Sequence, residues 1–561
     1  MRGPLEKLRV LERATGIAGP YAGRLLAMLG ATVVKCEPTQ GDPVRRQPVD
    51  SVPVSADAPG SLHVHLNAGK RLVTRDRLPL DRALAWADVV IDSAVARELR
   101  GTPLDPDTLA AGVDAPLLVT TSAWGFEADD AGSPCDELLV QAAAGVMCTT
   151  GDPEGPPLRL PGFQAQYLAG GYVAAAALAA LRGPGWRHVD VPWVHAIASG
   201  VEASWARSLQ AGLRDPPGGA HQADVFPSGA LACADGFVVP GTVRPADWVA
   251  QCRVYGMPEL MEDERFRSRG RRRRNCEELW SELEPWYAAR TRSEIFEAAL
   301  AGNWALGMVL AGRDLLDDPH VASRGYLGTV ELPKGATARA PVRPWKAPDT
   351  GEAVARLAEP GEDDGWFARE ARPRAPAEAP ARGALAELRV LELTQAWAGP
   401  FAGRLLAALG ADVVKVESQR RPDGWRGPSA FGDMAPHAGR DPKELSVEIS
   451  TAYNGLNRSK RHCSIDLTLD AGRHAFLDLV RAADVVIANL TARVLPNLRL
   501  TFDDLSAVNP RIILVNMPAL GATGPFRDAV GYGTIVEGMG GLGSLFGPPE
   551  AGARISQTYY P

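Results

Sequence analysis

Two lysine–arginine pairs, Lys70–Arg71 in LNAGKR and Lys460–Arg461 in LNRSKR, have the chemistry to meet phosphate oxygens. Their competing reading is a solvated strand end. The run GMGGLG (538–543) satisfies G-x-G-x-x-G, but that spacing alone is a weak sign of a dinucleotide site. It aligns with AAAGVM (142–147), which reads as helix. His188 and His195 flank VDVPWVH and read as structural residues. The basic run RFRSRGRRRRN (265–275) leads into CEELWSELE and reads as the charged start of a solvated helix. Seven cysteines are scattered without a C-x-x-C pair, so they frame neither a zinc site nor a disulfide scaffold, and no metal is expected.

The elements that must position such groups occur twice. Residues 8–37 and 388–417 align without a gap, with LRVLE, AGP, AGRLLA, LGA and VVK identical in both. LRVLE is a short strand. AGPYAGRLLAML continues apolar residues at helical spacing after a proline suited to a first helical position. ATVVKCE is a second strand. Strand, helix and strand in that order imply a parallel, doubly wound unit. Weaker matches follow: WADVVID (86–92) with AADVVIA (482–488), PLLVTTSAWG (116–125) with RIILVNMPALG (511–521), and LLVQAAAGVMCTTGDPEG (138–155) with TIVEGMGGLGSLFGPPEA (534–551). Between the copies, GALACADGFVVPG predicts a hairpin, and CEELWSELEPWYAAR and SEIFEAALA predict helices. The expected segments are a first large domain (1–215), a small α+β domain (216–345), a Pro/Ala-rich return segment and linker (346–382) and a second, incomplete large domain (383–561).

At 561 residues the chain has room for three or four domains, and its hydrophobic fraction of 45% is ordinary for a globular protein. A net charge of −7 argues against nucleic-acid and anionic-membrane partners. The N-terminus has no apolar signal core, and YLAGGYVAAAALAAL (167–181) is too short for a membrane span and reads as a buried helix. A cytoplasmic location is expected.

Taken together, LRVLE…AGPYAGRLLAMLGATVVKCE, NAGKR or NRSKR, ADVVI, GDPEGPP, the CADGFVV…W…RF…R…N…EL…W…RT series and DDPHVASRGYLGTVE resemble the family III CoA-transferases, the carnitine and bile-acid CoA-transferase group. The resemblance spans most of the chain. It implies an α/β fold: a duplicated Rossmann-like large domain with a smaller α+β domain between the copies. It also implies coenzyme A or acyl-CoA as substrate, with no permanently bound cofactor, and carboxylic acids as the other partners. Family subunits form interlocked dimers, so this chain is expected to be an intramolecular pseudo-dimer or a homodimer.

The family reaction runs through an aspartyl-acyl anhydride, and only a carboxylate can form one; an amide cannot. The resemblance puts the aspartate four residues before a glycine, at the start of the Ala-rich helix. In the first copy Gln166 stands there, before Gly170. In the second copy the stretch is ARISQTYYP, which ends at Pro561, so the nucleophile is expected beyond residue 561 in a longer chain. Asp136 occupies a place the racemase branch uses beside a histidine, but Cys135 precedes it here; a helix-start charge is the alternative. The implied CoA contacts are the turn residues Thr15, Gly16, Ile17 and Ala18, their counterparts Gln395, Ala396, Trp397 and Ala398, and Lys70, Lys460, Arg461 and Asn489. Trp397 is read equally as ligand-facing or core. Pro38 and Ser418 stand where the family has a basic residue, and Asp92 is set against Asn489. The working site is therefore expected in the second copy. Rival readings are a 2-methylacyl-CoA racemase and a non-catalytic CoA-thioester-binding pseudoenzyme.

Overall fold

The computed structural model describes residues 3–48, 58–112, 114–128, 135–152, 154–183, 186–211, 225–347, 355–369, 384–426 and 450–546. The residues form two compact units: Met1–Ala144, Gly162–Ser199 and Gly325–Ala384 in one, and Gly145–Pro161, Gly200–Arg324 and Leu385–Pro561 in the other.

In the first unit, β1 (Arg9–Glu12), β2 (Thr32–Glu37), β3 (Arg71–Thr74), β4 (Val89–Asp92), β5 (Leu117–Thr120) and β6 (His188–Asp190) form one parallel sheet in the order β3-β2-β1-β4-β5-β6. This is the doubly wound order of a Rossmann-type sheet. Val10, Val33, Val89, Ile91 and Val119 are buried against one layer of helices, and Val34, Val73, Val90 and Leu118 against the other. Helix Ala18–Met28 begins two residues ahead of Pro20, so the proline lies in the first turn, where its missing N–H costs nothing. Helix Gln164–Ala180 packs along it. A Cβ on Gly170 would stand 2.5 Å from the Ala18 carbonyl, so only glycine allows that approach. Among the described residues no helix is long and apolar enough to cross a membrane.

Residues 325–369 return to this unit. β10 (Leu327–Glu331) pairs antiparallel with β11 (Thr337–Pro341) and parallel with β12 (Ala355–Arg356). Asp363 accepts the Leu72 N–H at 2.9 Å, and Trp366 and Phe367 meet Trp86 edge-on. This part of the Pro/Ala-rich stretch is anchored rather than tethering.

The second unit repeats the sheet as β13 (Arg389–Leu393), β14 (Asp412–Glu417), β15 (Arg461–Ser464), β16 (Val485–Ala488) and β17 (Ile513–Asn516), in the order β15-β14-β13-β16-β17. The predicted hairpin is β7 (Leu231–Cys233) with β8 (Gly236–Gly241), extended by β9 (Ala305–Met308). The two predicted helices are Cys276–Ala288 and Arg292–Gly302. Their core is continuous with helix Gly533–Met539: Phe226, Val239, Trp304, Leu306, Ile535 and Met539 share one cluster. Gly307 makes room for that helix, since a Cβ there would fall 2.9 Å from Ile535. The basic run corrects one expectation. Arg272 is buried, because its guanidinium donates to the Phe226 and Phe266 carbonyls and lies over Trp248. Its neighbours in the run are mostly exposed.

Candidate functional site

In the first copy the chain leaves β1 and turns at Gly16, whose φ of 79° suits glycine. The Thr15 N–H is held by Ser93 Oγ at 3.2 Å and the Gly16 N–H by Asp42 at 3.2 Å. Ile17 and Ala18 turn their side chains into the core, while Thr15 and Gly16 are half-buried. The close helix pairing brings Gln166 to the same place: its Oε1 lies 3.9 Å from where a Gly16 Cβ would be.

Beside Gln166 sits a carboxylate that the sequence reading missed. Glu137 is 3% exposed. It accepts the Ala165 N–H at 2.6 Å and the amides of Gln141 at 2.9 Å and Gln166 at 3.4 Å. Burial raises its pKa. Its neighbour Asp136 is exposed and caps helix Glu137–Ala143 by accepting the Leu139 N–H at 3.0 Å, which is its helix-start reading. His188 hydrogen-bonds Thr120 at 2.8 Å and lies edge-on to Phe126.

The second-copy turn is built differently. Ala396 carries a φ of 62°, an uncommon choice for a residue with a Cβ. Its N–H points at Asp423, 3.1 Å away. Asn489 clamps the preceding residue from both sides: its Oδ1 accepts the Gln395 N–H and its Nδ2 donates to the Gln395 carbonyl, each at 2.8 Å. Trp397 is buried and meets Trp425 edge-on, while Ala398 opens the helix. The register also corrects a pairing. Asp92 and Ala488 both end their strands, so the counterpart of Asn489 is Ser93, one residue later. Asp92 instead pairs with Arg13 at 2.9 Å.

The Lys70 and Lys460 side chains are buried in ion pairs rather than solvated. The Lys70 ammonium meets Glu12 at 2.7 Å, the Pro20 carbonyl at 2.7 Å and Asn67 at 3.1 Å, which uses all its donors. Lys460 repeats this with Glu392 at 2.9 Å, Pro400 at 2.8 Å and Asn457 at 3.1 Å. Burial pulls both pKa values down to about 8. Arg461 pairs with Asp412, and Arg71 with Asp363. These residues stand where β3 and β15 begin, whereas ligands of such sheets bind beyond the carboxyl ends of the strands.

What ties each turn to its sheet is a buried charge network absent from the sequence reading. Lys35 bridges Glu12 at 3.2 Å, Asp42 at 2.8 Å and the Ala14 carbonyl at 3.0 Å. Lys415 bridges Glu392 at 3.6 Å, Asp423 at 3.2 Å and the Thr394 carbonyl at 3.1 Å. Desolvation would lower the Lys35 pKa, but Glu12 and Asp42 outweigh it and raise the value. The same Asp42 and Asp423 receive the turn N–H groups, so each network fixes the backbone offered at the strand end.

At the carboxyl edge of the second sheet lies a cavity of about 580 Å³. Arg421 follows β14, Thr468 follows β15, and Arg493 and Arg499 follow β16; Arg244 completes a lining that holds no acidic residue among the described residues. Arg493 donates to Asn303 at 2.6 Å. The signal for Arg421 was in the sequence: the basic residues come at 420–421, two and three places after the Ser418 expected to be basic.

A family model described as CoA-transferase family III matches residues 5–364 and again 385–560. A probable CoA-transferase of Mycobacterium tuberculosis is 27% identical over 548 residues, 94% of this chain. The chain spans 66% of that relative's length. A succinyl-CoA:mesaconate CoA-transferase of Haloarcula marismortui is 31% identical over 348 residues, 59% of this chain and 86% of its own length. A crystal structure of a CaiB/BaiF family protein from Brucella suis has the same fold, with a TM-score of 0.58 at 23% identity, covering 66% of this chain and 100% of that one. Two matches of the family model in one chain, each on a sheet of the same strand order, leave one conclusion: the chain belongs to CoA-transferase family III, with its large domain duplicated.

Proposed function

We propose that this protein moves CoA between carboxylic acids, binds its acyl-CoA in the second copy, and draws its nucleophile from that copy rather than from position 166. The observation that carries the reading is the arginine-lined cavity at the carboxyl edge of the second sheet. Its volume is that of a small-molecule site. Guanidinium groups are the usual partners of phosphates such as those of CoA. The turn at Gln395–Ala396, clamped by Asn489 and Asp423, follows β13 at the same edge of the sheet.

In the proposed mechanism an aspartate attacks the thioester carbonyl, the C–S bond breaks, and CoA leaves as thiolate. The thiolate then attacks the enzyme's own carbonyl in the anhydride and releases the donor acid. A second carboxylate and the same thiolate reverse the two steps onto the acceptor. Gln166 cannot take the first role, because an amide does not form the anhydride. Glu137 holds that amide in place and keeps the first copy as scaffold. The 200–324 segment sharing its core with helix Gly533–Met539 supports an intramolecular pseudo-dimer. Cysteines without disulfides among the described residues support a reducing, cytoplasmic setting.

The test is hydroxylamine trapping of an acyl-enzyme from acyl-CoA in the natural protein, with peptide mapping. An adduct in the second copy is expected, and Gln166→Asp adds none in the first. No adduct, with α-carbon deuterium exchange, would favour the racemase. Binding without either would favour the pseudoenzyme.

A further inference from the structure

Arg24, on helix Ala18–Met28, is a buried cation without a buried anion. It is 2% exposed. One guanidinium nitrogen donates to the Pro341 carbonyl, and its Nε has no hydrogen-bond partner. No carboxylate pairs with it among the described residues; the groups that act on it are the hydroxyls of Tyr21, Tyr167 and Tyr326. Burying an unpaired charge costs several kcal/mol, roughly, so such groups are normally paired. The matching residue of the second copy obeys that rule: Arg404 is ion-paired with Glu202.

Arg24 also opens onto a cavity of about 380 Å³ where β2 and β3 begin, the edge opposite the one that carries the arginines of the second copy. The lining includes Lys70, Arg71, Arg343 and Arg356 and no acidic side chain among the described residues. Three of these have their own carboxylates: Glu12 for Lys70, Asp363 for Arg71 and Glu362 for Arg356. Arg24 is left with a carbonyl only. Burial lowers its pKa to about 10, so it stays charged at neutral pH and the charge remains to be met.

We propose that this cavity is a binding site for a small oxyanion, a carboxylate or phosphate group, which completes the coordination of Arg24 as its counter-ion. A planar guanidinium with a free Nε suits either group, and the neighbouring cations add to the attraction without specifying which. The site is separate from the proposed CoA cavity and does not depend on it.

The experiment titrates inorganic phosphate and, separately, succinate into the protein at fixed ionic strength, by calorimetry and thermal shift, beside Arg24→Gln and Arg24→Met. At least one anion should bind the parent and raise its Tm, with at least tenfold weaker binding to Arg24→Gln. Without anion, Arg24→Met should melt no lower than the parent, because it removes an uncompensated charge. Phosphate alone binding would identify a phosphate site; succinate alone would identify a carboxylate site. The proposal is overturned if neither anion binds, if both bind Arg24→Gln as well as the parent, or if anion-free Arg24→Met melts well below the parent. CoA titration should be unchanged in both variants.

Discussion

The two copies keep the same inside and differ at the edges. Each has Glu, Lys and Asp locked together behind the first turn: Glu12, Lys35 and Asp42 in one, Glu392, Lys415 and Asp423 in the other. Each adds a lysine at the start of the third strand. Yet positions around the carboxyl edges diverge. Ser93 gives the turn one bond where Asn489 gives two. Glu98 and Pro103 stand where the second copy has Val494 and Arg499. Glu137, against Gln166, stands where the second copy has Gly533. The buried networks hold the architecture and recur in both copies; the edge residues differ, and in the second copy Arg421, Arg493 and Arg499 line a cavity there.

The sharpest way to break this comparison is at the shared part. Lys35→Met and Lys415→Met each leave two carboxylates buried with too little positive charge. Breaking a buried pair costs about 3–5 kcal/mol. Each variant should unfold its own unit, read as lost hydrogen-exchange protection in that copy. Lys35 makes closer ion pairs than Lys415, at 2.8 and 3.2 Å against 3.2 and 3.6 Å, so the first copy should lose more. Equal protection in variant and parent would mean the networks are incidental.

The unshared part should show the reverse. Arg493→Gln and Arg499→Gln each remove a cation from the second-copy cavity. A hydrogen bond to a charged group is worth about 1.5–3 kcal/mol, roughly tenfold or more in affinity. Calorimetry with CoA should show that loss for each, while Arg97→Gln, the first-copy counterpart of Arg493, should show none. Equal losses in both copies would mean two CoA sites rather than one.

This divide also explains what could be read from the sequence. The sheets were legible because LRVLE and VVK repeat as short apolar runs, and a parallel strand buried on both faces needs such runs. The networks were not, because a lysine in TVVKCE looks like the solvated face of an edge strand. Only the folded structure, in which Glu12 and Asp42 meet it below the turn, shows that Lys35 is buried. The ion pair of Lys70 was hidden too, because its distance along the chain from Glu12 conceals a contact of 2.7 Å. The arginine cavity draws Arg244 from one segment and Arg421, Arg493 and Arg499 from three loops, and no fixed spacing connects them. The Asp92–Asn489 pairing missed by one residue, which is the error a strand end invites. Turn and helix signals carried Gly16 and Gln166 to their places, but the contact between them depended on Gly170, whose role appears only once two helices touch.

Glu137 gives a pH-dependent way to sharpen the first copy's scaffold role. Its folded pKa lies above the ordinary glutamate value of 4.5, because burial disfavours the ionised form. The folded chain therefore binds the proton more tightly than the unfolded chain. The stability this contributes is full below pH 4.5 and is lost as pH rises through the folded pKa. Glu137→Gln keeps an acceptor for the Ala165 N–H and removes the titration. Its melting temperature relative to the parent should rise between pH 4 and pH 7. A constant difference across that range would mean the carboxylate is no less comfortable folded than unfolded.

The smallest effect tests the turns themselves by exchanging their residues. Gly16 and Ala396 occupy equivalent places with similar φ values, 79° and 62°. A Cβ at Gly16 would find Gln166 Oε1 at 3.9 Å, an ordinary contact, so Gly16→Ala meets no steric obstacle. Its cost is the backbone conformation alone, about 1–2 kcal/mol. The reverse change, Ala396→Gly, relieves that cost but returns about 0.4–1 kcal/mol of entropy to the unfolded chain. It should leave stability almost unchanged or slightly raised. The consequence for binding runs the other way: a glycine at 396 loosens the backbone that Asp423 and Asn489 hold, so CoA should bind Ala396→Gly more weakly even if the fold gains. If stability and affinity fell together in Ala396→Gly, the alanine would be part of the fold rather than of the site. If neither changed, the clamp by Asn489 alone would suffice to present the turn.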